Sequence, residues 1–582
     1  MIGIALLLGL LALALAAMSF ASFTSVKSHL DSFASDGDAD VTRTEFDAIV
    51  VRLRAAAAVA GLVALLVCTR RKSLRRLLAE LGASCATAIS SLLRGLGTAV
   101  ATESRLHLGA LLAVTVIAVL VRLEFLFQPM RYDESVTFVH YASRPWYIAL
   151  TTYTAPNNHV FHSELAQLTT AVFGGAPWAV RLPAFMAGIL LVPATYVAGR
   201  ALYGKHAALI AAALVAASSV VIEYSTNARG YTLIALCFAL LLALGTRLLT
   251  SSNQAEWLAF ALLGAIGFFT VPVMLYAFGA VATWVAISLL LAGERRLLVR
   301  RLLPAVAVTV VLSGLAYAPI VAASGLASLV DNEFVRSLAW TEFADELPDS
   351  LRSTWDGWNR DVPLPIAVAL VAGFATALLF HRRLARIAVP PALAALVFIA
   401  PVVVVQRVVP FERVWLFLLP LYLITAAAGI LFLLRPLATR VGGEAVAALI
   451  LAVVLAGSLA GNAVATQSVA ESEDTSTFRD AERVGDLLAR ELRPGDKVLV
   501  APPADAILEY DLRRRGLDPA ALLYWQEPGA TGRFLVVVKE GPDDYPLAYL
   551  RADRRLEGVR LSSARPLRRF DEASVYEVLR AG

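Results

Sequence analysis

The sequence predicts a polytopic α-helical membrane protein with a small α/β domain at its C-terminal end, and three observations lead to this fold class. Of the 582 residues, 58% are hydrophobic and 17% are charged, whereas soluble domains average roughly 45–50% apolar and about 25% charged residues. The mean hydropathy is +0.69. The charges are clustered between long apolar runs, as in chains that cross a membrane repeatedly, and only the region from about 470 to 582 has a mixed, water-soluble composition.

About thirteen apolar segments are long enough to cross the hydrocarbon core of a bilayer, which takes about 20 helical residues. In chain order they lie at 3–22, 49–69, 106–127, 178–200, 205–222, 230–250, 257–272, 274–293, 302–323, 364–380, 387–405, 414–434 and 444–465. The first segment lacks the basic start and the small-residue cleavage site of a signal peptide, so we expect a helix there as well.

Four clusters of basic residues predict the orientation of these helices. They are Arg70, Arg71, Lys72, Arg75 and Arg76; Arg295, Arg296, Arg300 and Arg301; Arg382, Arg383 and Arg386; and Arg435 and Arg440. If successive crossings alternate in direction, all four clusters fall on one side, which should be the cytoplasm because Lys and Arg are enriched in cytoplasmic loops. A nucleic-acid partner is not expected, since the sequence lacks a basic face with interleaved aromatic residues.

This topology divides the chain into three predicted parts: 1–105, with two N-terminal transmembrane helices and a cytoplasmic linker; 106–465, the main transmembrane domain, with external loops at 128–177 and 324–363; and 466–582, an extracytoplasmic α/β domain. In the last part, 496–500 and 534–538 are predicted as strands because they are short apolar runs. Residues 504–516 are predicted as a helix that ends at Gly516.

Two adjacent carboxylates, Asp133 and Glu134, follow the third crossing, where they would lie at the membrane surface. Carboxylates are costly next to lipid unless they are solvated, paired or used. One interpretation is a simple helix stop at the interface. The other is a general base with a metal or hydrogen-bond partner, because a carboxylate within hydrogen-bond reach can deprotonate an attacking hydroxyl.

The same external loop contains Asn158, His159, His162 and Glu164. His159 and His162 are three residues apart, so on a helix they would share one face. Together with a nearby carboxylate they could bind a divalent cation, Mg²⁺, Mn²⁺ or Ca²⁺. An interfacial helix with ordinary hydrogen bonds explains the same spacing equally well.

The short turn between the fifth and sixth crossings is unusually polar for its length. It contains Glu223, Asn227 and Arg229, and two tyrosines, Tyr224 and Tyr231, flank it. An arginine at the membrane surface is suited to bidentate phosphate binding, and snorkelling or pairing with Glu223 is the alternative role for Arg229.

Read in order, these motifs resemble the GT-C glycosyltransferases, in particular the bacterial protein O-mannosyltransferase-like and aminoarabinose-transferase-like branch. The matching residues are Tyr132-Asp133-Glu134, Asn158-His159, Arg181-Leu182-Pro183, Tyr203-Gly204, Asn227-Ala228-Arg229-Gly230-Tyr231, and Arg413 before Leu416-Phe417-Leu418-Leu419-Pro420. The resemblance is best over about 106–250 and weaker over about 400–425. Relatives often carry His-Pro-Pro-Leu-Tyr where this chain has His159-Val160-Phe161-His162.

The resemblance implies an enzyme that takes a sugar from a polyprenyl-phosphate donor and acts on the extracytoplasmic face of the bacterial inner membrane. Asp133 maps onto the family's base, with Glu134 as its neighbour. Because the leaving phosphate needs cationic stabilisation, Arg229 and Arg413 are the candidate phosphate-binding residues. The candidate substrate-binding residues are Tyr132, Asn158, His159, His162, Tyr224, Asn227 and Tyr231, and the candidate metal ligands are Glu134 and His159.

Such a reaction is expected to invert the anomeric centre in a single displacement, and its acceptor is a glycan, a lipid or a protein. A lipid-phosphate donor needs no nucleotide cofactor, and the sequence has no Walker or Rossmann glycine loop. Two alternatives remain open. A transporter or flippase of lipid-linked substrates would show internal repeats and polar residues at mid-membrane, and an envelope-binding scaffold would not need the acid and the arginines.

Two other segments have weaker signals. The acidic stretch at 36–46 resembles a degenerate EF-hand loop, and a solvated acidic loop is the simpler interpretation. The external loop at 324–363 carries Trp340, Trp355 and Trp358 next to acidic residues. Tryptophans in such a setting suit carbohydrate stacking, and they equally suit an interfacial aromatic belt.

Overall fold

The structure, a computed structural model, describes most of the chain. The described residues are 2–31, 42–73, 103–153, 157–330, 336–438, 443–472, 476–493, 496–500, 503–516, 533–539 and 561–580, with the single residues 75, 76, 79, 90, 440 and 474. The chain forms two compact units, Met1–Leu96 and Gly97–Gly582. Most of the predicted cytoplasmic linker at 70–105 and most of the EF-hand-like stretch lie outside the described residues.

In the described part of the first unit the chain forms α1 (Ile2–Met18), α2 (Phe23–Asp31) and α3 (Arg43–Thr69). Helices α1 and α3 pack against each other along their length. Gly61 in α3 faces Ala12 in α1, and a Cβ at Gly61 would lie 3.9 Å from the Ala12 Cβ. Small residues at such a contact let two apolar helices approach closely.

The second unit is helical over most of its length. Its helices are α4 (Arg105–Leu126), α5 (Tyr132–Thr137), α6 (Tyr147–Thr151), α7 (Val160–Phe173), α8 (Pro177–Leu202), α9 (Lys205–Ala217), α10 (Ser219–Ser225), α11 (Tyr231–Leu248), α12 (Gln254–Thr270), α13 (Met274–Leu291), α14 (Arg295–Leu297), α15 (Leu303–Ser324), α16 (Ala327–Val330), α17 (Trp340–Trp358), α18 (Leu364–Leu379), α19 (His381–Leu384), α20 (Pro391–Gln406), α21 (Leu418–Leu433), α22 (Arg435–Ala438), α23 (Glu444–Thr466), α24 (Ala481–Glu491) and α25 (Asp505–Arg514). Phe138–Ala142 and Leu298–Leu302 are π-helical, and Glu412–Phe417 is a 3-10 helix.

Within the described residues, eight helices are long and apolar enough to cross a membrane, and a ninth span results if α9 and α10 are counted as one bent span. Four shorter apolar helices, Leu6–Met18, Gln254–Thr270, Leu364–Leu379 and Pro391–Gln406, coincide with further predicted crossings. Every predicted crossing therefore falls on an apolar helix, which confirms the polytopic α-helical fold class. The number of thirteen spans stays a prediction.

A bend of 61° separates α9 from α10 at Ser218. The break in the helix frees the Ala216 carbonyl, and the buried Arg122 of α4 donates to it from Nη1 at 2.8 Å. The Nε of Arg122 also donates to the Ser225 hydroxyl at 3.1 Å. The bend places α10 where the sequence predicts a short turn over 223–229, so the first residues of that segment are helical.

Helices α18 and α21 are in direct backbone contact through two glycines. A Cβ on Gly429 of α21 would come within 1.8 Å of the Gly373 carbonyl oxygen in α18. Without a side chain at either position, the helices pack at a distance that no larger residue allows. This packing holds α21 in place directly after the 3-10 helix that carries Arg413.

The C-terminal part of the second unit forms a four-stranded sheet in the order β1-β2-β4-β3. The strands are β1 (Lys497–Val500), β2 (Arg533–Lys539), β3 (Leu561–Arg569) and β4 (Ala573–Arg580). β1 and β2 are parallel, with Val500 opposite Val537, and the other two pairs are antiparallel. The two predicted strands and the predicted helix before Gly516 are confirmed, with Gly516 in the left-handed conformation (φ 72°), whereas β3 and β4 were not predicted.

This small domain has its own core and also contacts the helical part of the same unit. Its core contains Phe478, Leu488, Val498, Ile507, Leu535, Val537 and Val575. The Tyr510 hydroxyl of α25 donates to the Gly175 carbonyl at 2.7 Å, and the Tyr510 ring packs edge-on against Phe138. The domain is thereby attached next to the short helix α5, which carries Asp133 and Glu134.

Candidate active site

Glu134 is fully buried and acts as the anchor of helix α5. Its Oε2 accepts from Arg181 Nε at 2.9 Å and from the Ala228 amide at 3.0 Å. Its Oε1 accepts from the Arg131 amide at 2.8 Å and forms a second contact with Arg181. Arg181 also donates to the carbonyls of Leu126, Gln128 and Pro129. The ion pair therefore fixes the end of α4 to α8 and to the turn after α10.

Asp133, the adjacent residue, lies in a different environment. Its Oδ2 lies 3.8 Å from Arg229 Nη2 and 3.5 Å from Arg413 Nη2. Its Oδ1 accepts from Asn157 Nδ2 at 3.3 Å. The side chain is 11% exposed, and its Oδ2 is buried without a hydrogen-bond partner among the described residues. The structure thus brings together the predicted base and both predicted phosphate-binding arginines.

Arg229 is held in place from the protein side but retains an unused donor. Its Nη1 lies 3.4 Å from the Asn157 carbonyl, and its guanidinium lies over the Tyr231 ring, 5.7 Å from the centroid. Its buried Nε has no hydrogen-bond partner among the described residues. A buried donor without a partner costs free energy, so this nitrogen indicates a place for a ligand.

Arg413, on the 3-10 helix, contacts three elements at once. Its Nε donates to the Tyr231 hydroxyl at 3.3 Å, and its Nη1 lies 3.2 Å from Asp474 Oδ1. Asp474 follows α23 and lies 61 residues beyond Arg413 in the chain. Burial, reinforced by the negative charges of Glu223 and Asp133, raises the pKa of Asp474 to about 7, against the opposing effect of Arg131.

A second buried ion-pair network lies behind these residues. Arg131 donates from Nη1 to Glu223 Oε1 at 3.1 Å and to the Ser472 carbonyl at 3.1 Å, and from Nη2 to the Val469 carbonyl. Glu223 also pairs with Arg360. Glu223 is thus already the counter-ion of two arginines, and neither of them is Arg229. The pairing of Arg229 with Glu223, considered from the sequence, is therefore not present.

His159 and Tyr231 form one wall of the site. The Gly230 amide donates to His159 Nδ1 at 2.7 Å, and the His159 and Tyr231 rings pack edge-on with centroids 4.8 Å apart. Tyr224 packs edge-on against Tyr231 from the other side, at 5.4 Å. The buried Tyr224 hydroxyl and His159 Nε2 have no partner in the described part of the chain. Both atoms are therefore available to a bound molecule.

His162 lies one turn further along α7 and is completely buried. Neither of its ring nitrogens has a hydrogen-bond partner among the described residues. Burial, together with the positive charge of Arg229, lowers the pKa of His162 to about 3. The pKa of His159 is also well below its ordinary value, because of burial and the nearby Arg229. Both imidazoles are neutral at physiological pH.

Two of the predicted substrate-binding residues make contacts with the protein instead. Asn158 donates from Nδ2 to the Ala149 and Thr152 carbonyls at 2.8 and 2.9 Å, and its Oδ1 accepts from the Ser163 hydroxyl at 3.0 Å. The side chain of Tyr132 packs on the core of the C-terminal domain. Burial there, with Asp505 and Asp133 nearby, raises the pKa of Tyr132 to about 12.

Asn227, the remaining predicted substrate-binding residue, is buried in the turn before Arg229. Its carbonyl accepts from the Arg229 amide at 2.7 Å. The sequence did not single out Asn157 and Asp474, the two residues that contact Asp133 and Arg413. The only feature of the sequence that could have pointed to Asn157 is its position next to the predicted Asn158. Asp474 had none, because its contact with Arg413 arises from the tertiary fold alone.

The predicted metal ligands do not fit a cation. Each Glu134 oxygen already accepts two hydrogen bonds, so neither faces an open position. His159 offers Nε2, since its Nδ1 is occupied by the Gly230 amide. Among the residues that the structure describes, no three His, Cys, Asp or Glu side chains are grouped as metal ligands. We therefore assign Glu134 to the protein's own framework and derive no step through a metal.

The predicted external loop at 324–363 contains a helix, α17, which supports the site from outside. The Ser350 hydroxyl donates to the Pro410 carbonyl at 2.9 Å, and Ser353 contacts Glu412 on the 3-10 helix. Trp358 stacks on Tyr422 of α21. The tryptophan at this end of α17 therefore packs against a transmembrane helix, and α17 holds the 3-10 helix that presents Arg413.

Comparison with known proteins connects this geometry to a family. The family model of dolichyl-phosphate-mannose-protein mannosyltransferases matches residues 160–320. ArnT from Cupriavidus metallidurans bound to undecaprenyl phosphate shares the fold at a TM-score of 0.54 and 15% identity, over 81% of this chain and 98% of that chain. Its apo structure gives a TM-score of 0.54 and 16% identity with the same coverage. A comparison with curated proteins found no match.

The matched segment and the shared fold make this chain similar to ArnT and to the dolichyl-phosphate-mannose-protein mannosyltransferases. The resemblance stated from the motifs is thereby confirmed, and it favours an enzyme over a transporter or a scaffold. The matched segment contains Arg181, Arg229 and Tyr231, while Asp133 and Arg413 lie on either side of it.

Proposed function

We propose that this enzyme transfers a sugar from a polyprenyl-phosphate donor to a hydroxyl group of a glycan, lipid or protein, with Asp133 as the general base. The observation that carries the proposal is the convergence of the Asp133 carboxylate with the guanidinium groups of Arg229 and Arg413. A lipid-phosphate donor requires cationic groups for its phosphate and one base for the acceptor. The site supplies both within 4 Å of Asp133 Oδ2.

The donor class follows from the position and chemistry of the arginines. Both come from segments at the ends of apolar helices, Arg229 directly before α11 and Arg413 directly before α21. A phosphate on a membrane-embedded prenyl chain would lie at this level. The ArnT structure that shares the fold contains undecaprenyl phosphate, which supports a polyprenyl phosphate as the donor's lipid.

Asp133 is the counter-ion of both arginines. A donor phosphate would take over these contacts, because phosphate oxygens accept from guanidinium groups at least as well as a carboxylate does. Asp133 would then be free to accept a proton. Binding of the donor thereby prepares the base, and the enzyme does not need a separate device to activate it.

The chemical step is a single displacement. Asp133 removes the proton of the acceptor hydroxyl, and the oxygen attacks the anomeric carbon from the side opposite the phosphate. The new carbon–oxygen bond forms as the bond to the phosphate oxygen breaks, and the anomeric centre inverts. The electron pair leaves with the phosphate, whose added charge is stabilised by Arg229 and Arg413. Because phosphate is a weak base, no general acid is required.

The neutral imidazoles and Tyr224 form the sugar side of the site. His159 Nε2 and the Tyr224 hydroxyl have no partner among the described residues, and each can exchange a hydrogen bond with a sugar hydroxyl. The Tyr231 ring packs edge-on against both of them and holds them in place. Since His159 and His162 are neutral, they do not add charge next to the phosphate site.

We further propose that the three predicted parts, 1–105, 106–465 and 466–582, have distinct roles. The middle part carries the reacting groups, and the last part closes one side of the site on the extracytoplasmic face of a bacterial inner membrane. The basic clusters support this orientation, since they lie at the opposite ends of the helices from Asp133 in the predicted topology. The N-terminal helices are an addition to the GT-C core.

The test uses purified enzyme in nanodiscs with a panel of radiolabelled undecaprenyl-phosphate monosaccharides and an envelope extract as acceptor. The readout is the release of free undecaprenyl phosphate, with Asp133→Asn as the inactive control. Turnover of one donor that depends on Asp133 is the expected result. If folded enzyme neither binds nor consumes any of the donors, the proposed donor class is wrong.

A further inference from the structure

Residues 467–472, 474 and 476–480, between α23 and α24, lie beside the candidate site; we call them the connector. The Ser476 carbonyl accepts from the Tyr132 amide at 3.0 Å. The carbonyls of Val469 and Ser472 accept from Arg131. The connector is therefore fixed to the loop that carries Asp133 at both of its ends, and its middle lies beside Arg413.

The donors of Arg413 are all engaged by the protein itself. Nη1 lies 3.2 Å from Asp474 Oδ1 and 3.4 Å from the Asp474 carbonyl. Nη2 lies 3.5 Å from Asp133 Oδ2, and Nε donates to the Tyr231 hydroxyl at 3.3 Å. Each of the three nitrogens thus faces an oxygen of the protein. A phosphate that takes the place of Asp133 at Nη2 can bind Arg413 through both Nη atoms only if Asp474 also leaves Nη1.

Asp474 is held less firmly than Asp133. Asp133 is 11% exposed and is also held by Asn157 and Arg229, whereas the Asp474 side chain is 25% exposed and its ion pair is with Arg413. The charged groups that face Asp474 are Arg413 from the 3-10 helix, Asp133 from α5, Glu223 from α10 and Arg131 from the loop before α5. Two of these groups repel a negative Asp474, and the site would become more negative still when a phosphate enters.

We propose that Asp474 is a displaceable counter-ion of Arg413, which the donor phosphate replaces, and that it thereby sets the affinity for the donor. The inference rests on the proposed donor site and adds a regulatory residue to it. When Asp474 is charged, it competes with the phosphate for Arg413. When it is protonated, its pairing with Arg413 is lost and the phosphate meets less competition.

The pH dependence of binding follows from the raised pKa of Asp474, about 7. Below that pH Asp474 is mostly neutral and the donor binds more tightly; above it Asp474 is charged and the donor binds more weakly. His159 and His162 do not contribute to this change, because their pKa values are lowered and they remain neutral across the range. The expected direction is therefore a loss of affinity as the pH rises through neutrality.

The probe is undecaprenyl methyl phosphate, a phosphodiester that lacks a sugar and keeps one negative charge throughout. Binding of the radiolabelled probe to the full-length enzyme in nanodiscs is measured at about pH 6 and about pH 8.5. Three proteins are compared: wild type, Asp474→Asn, and Glu471→Gln as the matched control. Glu471 lies on the same connector, is exposed, and loses the same charge. Thermal unfolding confirms that each variant is folded.

Wild type and Glu471→Gln are expected to bind the probe about threefold to tenfold more tightly at the lower pH, the range that one partly exposed ion pair allows. Asp474→Asn is expected to bind tightly at both. The inference is overturned if Asp474→Asn keeps the wild-type pH dependence, or if wild type has none. Should Asp474→Asn not fold, the wild-type measurement alone still decides. Failure of every protein to bind the probe would instead overturn the proposed donor, and this inference with it.

Discussion

The carboxylate of Glu134 and the guanidinium of Arg181 form an ion pair in which both side chains are 0% exposed. The next residue towards the N-terminus, Asp133, is 11% exposed and faces two other arginines. Two adjacent acids thus occupy opposite environments. A carboxylate with four hydrogen bonds has no capacity left for a substrate, whereas Asp133 Oδ2 accepts no hydrogen bond within the described residues.

The buried pair predicts a large loss of stability in Glu134→Ala. Removing one partner leaves the Arg181 charge buried and uncompensated, which costs about 3–5 kcal/mol. Thermal unfolding in detergent is the measurement. Asp356→Ala is the matched control, because Asp356 pairs with Arg352 on an exposed surface and such pairs contribute less than about 1 kcal/mol. Similar unfolding temperatures for the two variants would contradict the anchoring role of Glu134.

Replacing either arginine with lysine, in Arg229→Lys or Arg413→Lys, should reduce activity rather than stability. Lysine keeps the charge but loses the planar fork that pairs with two phosphate oxygens. We expect kcat/KM for the donor to fall about 100-fold, as when one donor to a developing charge is removed, with little change in stability. Steady-state kinetics with the donor as the varied substrate provide the check. Unchanged kcat/KM in both variants would exclude the arginines from phosphate binding.

A side chain at Gly230 should disturb His159, which forms one wall of the site. A Cβ there would lie 2.5 Å from Thr270 Cγ2 and 3.0 Å from His159 Nδ1. Gly230→Ala should displace His159, reduce donor turnover and cost about 1–3 kcal/mol through overpacking. In Gly314→Ala a Cβ would meet nothing within 4 Å, so this control should be neutral or slightly stabilised. Equal donor turnover and equal stability of the two variants would show that the close packing around Gly230 is unimportant.

The buried His162 should make the stability of the folded protein depend on pH. Its pKa is lowered from 6.5 to about 3 by burial and by Arg229, so the unfolded chain binds a proton there below about pH 6.5 and the folded chain does not. Stability should therefore fall with decreasing pH by up to about 1.4 kcal/mol per unit from this residue. His162→Gln should lose that component between about pH 6.5 and pH 4.5. Parallel unfolding profiles for the variant and wild type would argue against a buried neutral imidazole.

The helices and the charged residues that meet at the candidate site could be predicted from the sequence because their signals are local. A long apolar run specifies a membrane helix, since a bilayer leaves the backbone no other partner. Adjacent acids and arginines at the ends of such runs are costly unless they have a role. Asp133, Arg229 and Arg413 were therefore identified from the sequence, and the structure brings them together; their catalytic roles stay a prediction.

The features that the sequence could not provide depend on tertiary contacts. The bend at Ser218 has no proline to mark it, and the partner that makes it tolerable, Arg122, lies on another helix. Asp474 becomes relevant only because the connector folds back over Arg413. Glu134 could not be separated from Asp133 by residue type, since the difference between them is the buried partner, Arg181.

The central claim is that Asp133 removes the acceptor proton while the arginines hold the donor. The most direct measurement is a pair of experiments on Asp133→Asn in nanodiscs: equilibrium binding of the undecaprenyl-phosphate sugar and its single-turnover transfer to acceptor. We predict donor binding at least as tight as in wild type, because the competing carboxylate is gone, and transfer reduced by about 10²–10⁴-fold. Transfer at the wild-type rate would contradict the assignment of Asp133 as the base.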